Sequence, residues 1–272
     1  MSGERRWAGI LLAVYLGIVI AFLMAPILTL IVFSFNNVRF PSLPWGGFSL
    51  MWYEAVLTDS TVHSGFRNTL IVASVTAVIS TFIGFCTAYA DYRFNFTGKM
   101  VYLALAAMPP TVPVVILGIA DLTFMATIGI SGTLQAVIIG HVVLCAPFAM
   151  ALIRIRLADL DPAIEPAAWN LGATRWATVR DVIVPFCRPA IFSALAITAA
   201  VSFDEFMIAW FVSGINETLP VRILAMLQGQ VSPRINAVGS IVFAITVTLV
   251  VLAQIAVLSW RRTRGAAGKE DQ

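Results

Sequence analysis

Six long stretches of the chain carry no Asp, Glu, Lys or Arg: residues 7–38, 68–90, 100–120, 122–153, 189–203 and 235–260. A helix needs about 20 apolar residues to cross the roughly 30 Å hydrocarbon core of a bilayer. The 122–153 stretch is too long for one crossing, and Gly129-Ile130-Ser131-Gly132 inside it is a natural tight turn that divides it. The pattern predicts six membrane-spanning helices, at about 8–35, 67–91, 99–127, 134–156, 188–213 and 236–260. Together they make one all-α integral membrane domain covering residues 1–272. The first apolar stretch is far longer than the roughly 7–15 residues of a signal-peptide core, and no small-x-small cleavage site is evident, so it reads as an uncleaved span.

Composition fits this class. Of the 272 residues, 60% are hydrophobic and 11% charged, whereas a soluble domain carries about 25% charged residues. Charge then sets the orientation. With both termini in the cytoplasm, the inner segments hold thirteen of the 17 Lys and Arg residues, among them Arg5, Arg6, Arg93, Lys99, Arg154, Arg156, Arg175, Arg180 and Arg188. The outer segments hold only Arg39, Arg67, Arg222 and Arg234. An excess of basic residues on cytoplasmic loops is what insertion favours. The net charge of +3 is therefore a matter of orientation, and it implies no nucleic-acid partner. Cys86, Cys145 and Cys187 lie in or next to spans without metal-ligand spacing and read as apolar filler.

Two outer segments stand out. Residues 36–65 contain Phe48-Ser49-Leu50-Met51-Trp52-Tyr53, an aromatic run suited to the headgroup layer. Residues 213–234 carry an amphipathic stretch at 221–228 between Pro220 and Pro233. Inside the membrane, Met108-Pro109-Pro110-Thr111-Val112-Pro113 interrupts the third span. The prolines predict either a packing kink or a broken helix lining a pathway, because freed backbone groups must face protein or water.

Asp204 and Glu205 follow Pro189 by about 15 residues, or roughly 22 Å along the fifth span at 1.5 Å per residue. A carboxylate near the bilayer centre costs on the order of 2.5–3.5 kcal/mol or more, so at least one of the pair should face a cavity or a partner. A pathway for cations is one reading, with Phe203, Phe206 and Trp210 adding cation–π contacts. A structural ion pair or a hydrogen bond to a partner subunit is the other. Asp121, near the outer end of the third span, is a further pathway candidate or a water-facing helix end. His141 reads as a hydrogen-bonded packing residue.

The longest cytoplasmic segment, 159–187, is polar and flanked by arginines. Asp161-Pro162 and Glu165-Pro166 look like helix starts, since proline suits the first helical turn. Leu171-Gly172 looks like a helix end, because glycine accepts a left-handed conformation. Thr174 then caps a second helix over 175–182, which Pro185 and Pro189 should stop. The expected form is helix, glycine turn, helix. Ala167 and Ala168 leave room for a partner to approach, and Trp169 or Trp176 is suited to fill a groove on it.

The order of residues here carries more than composition. Glu165-Pro166-Ala167-Ala168-Trp169-Asn170-Leu171-Gly172-Ala173, continuing to Val182-Ile183-Val184-Pro185, resembles the coupling loop of ABC-importer permeases, known as the EAA loop. One departure is plain. Pro166 stands where the family has a glutamate directly before the alanine pair, and Glu165 comes one position earlier. Over roughly 33–254 the chain resembles the permeases of bacterial polyamine (spermidine/putrescine) importers. The residues that carry this are Phe33-Ser34-Phe35-Asn36, Trp52-Tyr53, Tyr92-Arg93-Phe94, Phe203-Asp204-Glu205-Phe206, Phe211-Val212-Ser213-Gly214 and Val231-Ser232-Pro233 with Ile235-Asn236-Ala237.

The resemblance implies a multi-pass protein of the bacterial inner membrane that imports a polyamine by alternating access. It implies a heterodimer with a sister permease, two ATPase subunits and a periplasmic binding protein. ATP and Mg would sit on the ATPase, with no cofactor or metal on this chain and no catalytic residue of its own. It also assigns ATPase coupling to Glu165, Ala167, Ala168, Trp169, Leu171, Gly172, Ala173 and Pro185. The lack of a G-x-x-x-x-G-K-[ST] motif is consistent, since Gly98-Lys99-Met100 and Gly268-Lys269-Glu270 both fail the pattern. Alternatives within the class are an opine, thiamine, iron or sugar as substrate. Outside the class stand an ion-coupled secondary carrier, which would use Asp204, Glu205 and Asp121, and an intramembrane enzyme, for which no nucleophile–base pair or metal cluster is visible.

Overall fold

The computed structural model describes residues 2–38, 45–229 and 232–248, with side chains from Trp7 onward. The expected sixth span beyond 248 lies outside the described residues, as does the basic tail. Among the described residues all regular structure is helical, apart from an isolated bridge between Asn36 and Phe48. The elements are α1 (Ser2–Ser34), α2 (Met51–Leu57), α3 (Ser60–Arg93), α4 (Lys99–Ala107), a 3₁₀ turn (Pro109–Thr111), α5 (Val114–Thr127), α6 (Leu134–Ala158), α7 (Ile164–Asn170) and α8 (Arg175–Thr178). A π-turn (Val179–Ile183) then leads into α9 (Val184–Asp204), α10 (Met207–Val212) and α11 (Leu219–Gly229). An apolar helix α12 (Pro233–Thr248) follows.

Among the described residues, four helical stretches are long and apolar enough to cross a membrane: Trp7–Ser34, Ser60–Arg93, Leu134–Ala158 and Arg175–Asp204. They match the first, second, fourth and fifth expected spans. The helices Val114–Thr127 and Pro233–Thr248 are apolar but shorter.

The third expected span is not one helix. Three prolines lack the N–H that would continue it, and the exposed carbonyls find local donors. Leu105 O accepts from Met108 N at 3.2 Å, Met108 O from Thr111 N at 2.9 Å, and Pro109 O from Val112 N at 3.2 Å. The prolines therefore produce a break into α4, turn and α5, not a kink within one rod.

The expected stop at Pro185 and Pro189 does not occur either. The helix runs on through both prolines. The π-turn just before Pro185 adds room for its ring and for the carbonyl it leaves without a donor.

The chain divides into two compact units, Ser60–Arg222 and the pair of segments Met1–Asp59 with Ile223–Gln272. The first has α3, α6 and α9 at its centre. Val72, Met125, Val137, Leu144, Ile208 and Val212 form one apolar cluster, and Ala88, Met150, Ile153, Leu157, Ile183 and Cys187 another. Gly84 lets α3 and α6 touch: a Cβ there would lie 2.6 Å from Met150 N and 2.7 Å from Ala149 Cβ. Small residues permit such approach between membrane helices, where dispersion and not water exclusion drives packing.

The predicted turn is present between α5 and α6, with Gly129 and Gly132 at φ +75° and +81°. Asp91, near the end of α3, clasps its neighbours through Arg154 Nε at 2.5 Å and Lys99 Nζ at 3.1 Å.

In the other unit the aromatic segment at Phe48–Tyr53 folds back on the end of α1. Trp52 Nε1 donates to Asn36 O at 2.8 Å, Tyr53 OH meets Ser34 Oγ at 2.7 Å, and Phe35 stacks on Phe48. Arg234 pairs with Asp59. Most of α1 between Trp7 and Pro26 is exposed, and its burial gathers at the C-terminal end, where Ser34 is fully enclosed.

Candidate functional sites

The 159–187 loop takes the expected form of helix, glycine turn, helix. Asp161 Oδ1 accepts from Ala163 N at 2.8 Å and sets the entry to α7. Pro166 sits in the first turn of α7, where a missing N–H is harmless. The helix closes as Ala173 N donates to Ala168 O at 3.0 Å, with Gly172 at φ +88°. This left-handed closure is the one glycine adopts at least cost. Thr174 Oγ1 then caps α8 by accepting from Ala177 N at 3.2 Å.

The side chains of the loop divide by exposure. Leu171 and Trp176 stand out at 89% and 72% exposed. Ala167 and Gly172 are exposed beside them, Ala168 and Ala173 are half-buried, and Pro185 is half-buried in the first turn of α9. Glu165 is instead only 3% exposed and forms an ion pair with Arg93 Nε at 2.9 Å. The same guanidinium lies 4.9 Å above the ring of half-buried Trp169. A cleft of about 170 Å³ opens beside them, lined by Tyr92, Arg93, Pro162, Glu165, Pro166 and Trp169. The glutamate displaced by one position in the motif thus turns inward, and its charge is met within this chain.

The second site is a break inside the expected fifth span. That span does not run to 213. α9 ends at Asp204, and Glu205 takes an extended conformation with ψ 118°. Its carboxylate Oε1 accepts from Met207 N at 2.7 Å and Ile208 N at 3.0 Å, starting α10. A side chain that satisfies the free N–H groups of a new helix competes with continuation of the old one. Asp204 and Glu205 are therefore separated by a break, and the 100° helical spacing expected between them does not apply. Asp204, Phe206 and Trp210 are exposed, while Phe203 and Glu205 are half-buried.

Asp121 of α5 is enclosed behind the break, not at a wet helix end, at 8% exposure. A Cβ on Gly140 of α6 would lie 3.0 Å from Asp121 Oδ2 and 2.6 Å from Ile208 Cγ2. Asp121 and Glu205 thus both approach Ile208. His141 is fully buried, and its Nδ1 shares a hydrogen bond with Ser202 Oγ at 2.8 Å, a packing role that joins α6 to α9. Sequence reasoning missed Arg93 as a partner of the loop, and Gly140, Ser202 and Ile208 around the break. Arg93 was legible as a basic residue at a span's inner end and within the Tyr92-Arg93-Phe94 resemblance, but not as a partner of the loop.

Residues 80–262 match the family described as the binding-protein-dependent transport system inner membrane component. Among curated relatives, the spermidine/putrescine transport system permease protein PotC of Haemophilus influenzae is 31% identical over 89% of this chain and 94% of its own. The putrescine transport system permease protein PotI of Escherichia coli is 31% identical over 81% of each. Among solved structures, a chain of a bacterial ABC transporter involved in the import of the acidic polysaccharide alginate superposes with a TM-score of 0.71 at 20% identity, covering 93% of this chain and 96% of that one. A chain of the MetNI methionine ABC transporter in an inward-facing conformation gives 0.58 at 23% identity, covering 72% and 92%. These two likenesses show a shared fold. With its membrane-length apolar helices, the chain belongs to the family of binding-protein-dependent transport system inner membrane components and is a multi-pass protein of the inner membrane.

Proposed function

We propose that this permease imports a polyamine, spermidine or putrescine, from periplasm to cytoplasm by alternating access. One observation carries the substrate: the 31% identity with a spermidine/putrescine permease extends over 89% of this chain. Six spans with both termini cytoplasmic complete the proposed topology, α4 and α5 together serving as the third crossing. The partners are a sister permease, two ATPase subunits that bind ATP and Mg, and a periplasmic binding protein. This chain hydrolyses nothing itself.

The break after α9 suits a cation path. Asp204 offers a carboxylate, and exposed Phe206, just ahead of α10, lies one turn from exposed Trp210 on it. Polyamine nitrogens resemble lysine and stay protonated at neutral pH. Weak contacts of about 0.5–2 kcal/mol to each ring attract such a cation without trapping it. Phe203 flanks the path, while Glu205 and Asp121 lie behind it and shape the break. At the cytoplasmic face, Leu171 and Trp176, with Ala167, Ala168, Gly172 and Ala173 around them, form the surface on which the ATPase docks.

Uptake of labelled spermidine and putrescine into vesicles holding the complete transporter tests this. ATP- and binding-protein-dependent accumulation is expected, with strong loss in Asp204→Asn while the complex still assembles. Accumulation of neither polyamine in the wild type would remove the substrate. Uptake unaffected by Asp204→Asn would remove the proposed path.

A further inference from the structure

We propose that Arg93 anchors the cytoplasmic loop to α3 and makes α3 the strut through which loop movement reaches the far end of the domain. The proposal rests on the reading of the loop as the ATPase docking surface.

The grip is specific. Glu165 and Trp169 lie one turn apart on the buried face of α7, and one side chain holds both. Arg93 pairs with the carboxylate at 2.9 Å and lies over the indole at 4.9 Å. A planar guanidinium can meet a carboxylate through its edge and a ring through its face, which an ammonium cannot do. Without Arg93, Glu165 would be a buried charge lacking its counterion, and α7 would lose its tie to α3.

Arg93 is the last residue of α3, a helix unbroken over 34 residues, about 50 Å at 1.5 Å per residue. The Gly84 contact seats this rod directly on the backbone of α6. A second polar joint lies in the opposite half of the helix. Thr69 Oγ1 accepts from Leu219 N at 2.7 Å, and Asn68 Nδ2 donates to Glu217 O at 3.0 Å. Gly65 allows the backbone at Leu219 to pack close beside them. One rigid helix therefore has a polar joint to the cytoplasmic loop at one end and to the 217–219 segment in its opposite half.

A consequence concerns the missing motif glutamate. Glu165 is engaged inside the chain, so a push from the ATPase enters through exposed Leu171 and Trp176. It passes along α7 to Arg93 and then to α3.

The complete transporter in proteoliposomes gives the test, with labelled spermidine as probe. Arg93→Gln should assemble and keep basal ATP hydrolysis, while spermidine taken up per ATP falls about tenfold, within the span of ordinary coupling energies. Arg93→Lys should recover only part of the loss. Arg93→Gln combined with Glu165→Gln should be no worse than the worse single variant, the mark of residues acting as a pair. A second measurement needs no transport: a spin label on Leu171→Cys in the full-length chain with its three native cysteines replaced by serine. Its spectrum should sharpen in Arg93→Gln as the loop loosens.

Wild-type uptake per ATP in Arg93→Gln overturns the strut, whatever the spectrum does. Parallel loss of basal hydrolysis and uptake overturns it in favour of a general folding role. An unchanged spectrum overturns the anchor. A sharpened spectrum in a protein whose wild type takes up no spermidine leaves the anchor standing and discards the functional reading.

Discussion

The break between α9 and α10 depends on Glu205, and removing its carboxylate gives a decisive measurement. Its Oε1 accepts from two backbone N–H groups, at 2.7 and 3.0 Å, that have no helical partner. Loss of a capping side chain costs about 0.5–2 kcal/mol, and a hydrogen bond to a charged acceptor contributes about 1.5–3 kcal/mol. Glu205 is half-buried, so the cost of Glu205→Ala falls near 2 kcal/mol on these scales. Glu205→Gln keeps an amide oxygen at the same reach, and neutral bonds of about 0.5–1.5 kcal/mol should limit its loss to roughly half that. Thermal unfolding of the purified protein in detergent reads the difference. At about 2–4 °C per kcal/mol for a domain of this size, Tm should fall by roughly 4–8 °C in Glu205→Ala and by half as much or less in Glu205→Gln. Uptake should follow the same order. A glutamine variant that melts as low as the alanine variant, or an alanine variant that melts with the wild type, would refute the cap.

Three further outcomes are expected. Gly84→Ala places a methyl against backbone of α6 and should cost about 1–3 kcal/mol through overpacking, seen as a lower Tm. Gly172→Ala meets no neighbour but forces φ +88° on a residue with a Cβ. The strain of about 1–2 kcal/mol should stay local, raising tryptic cleavage at Arg175 and Arg180 while Tm holds. Thr69→Val leaves the buried Leu219 N–H without its acceptor and should cost about 1–3 kcal/mol. Hydrogen exchange at Leu219 should quicken markedly, whereas exchange on α9 should not change.

Much of the architecture follows from chemistry that acts over a few neighbouring residues. Uncharged stretches of membrane length name α1, α3 and α6 because a bilayer accepts a backbone only when its own hydrogen bonds close within the segment. The Gly129-to-Gly132 turn, the left-handed Gly172 and the Thr174 cap were legible for the same reason, since each is decided within about four residues. The helix, glycine turn, helix form of the 159–187 loop was readable from the order of its residues. Of the two readings at Pro109, Pro110 and Pro113, the broken helix is the one present, because nearby donors re-satisfied the freed carbonyls. Two local expectations failed. Pro185 and Pro189 did not stop the helical run that starts at Arg175, because a π-turn leads it into α9. Glu205 ended α9 by capping the next helix.

Pairings between distant segments were not legible. No periodicity joins Arg93 to Glu165 and Trp169, Asp121 to Gly140 and Ile208, or His141 to Ser202. Each depends on which helices lie side by side, and that is selected by close contacts such as Gly84 against α6. Backbone conformation answers to nearest neighbours and to the solvent around a segment, so span, turn and cap could be read along the chain. Whether a charge is buried and paired or left open depends on atoms far away in sequence. For that reason only the packed helices separated the inward Glu165 from the exposed Leu171 and Trp176, and the capping Glu205 from its open neighbour Asp204.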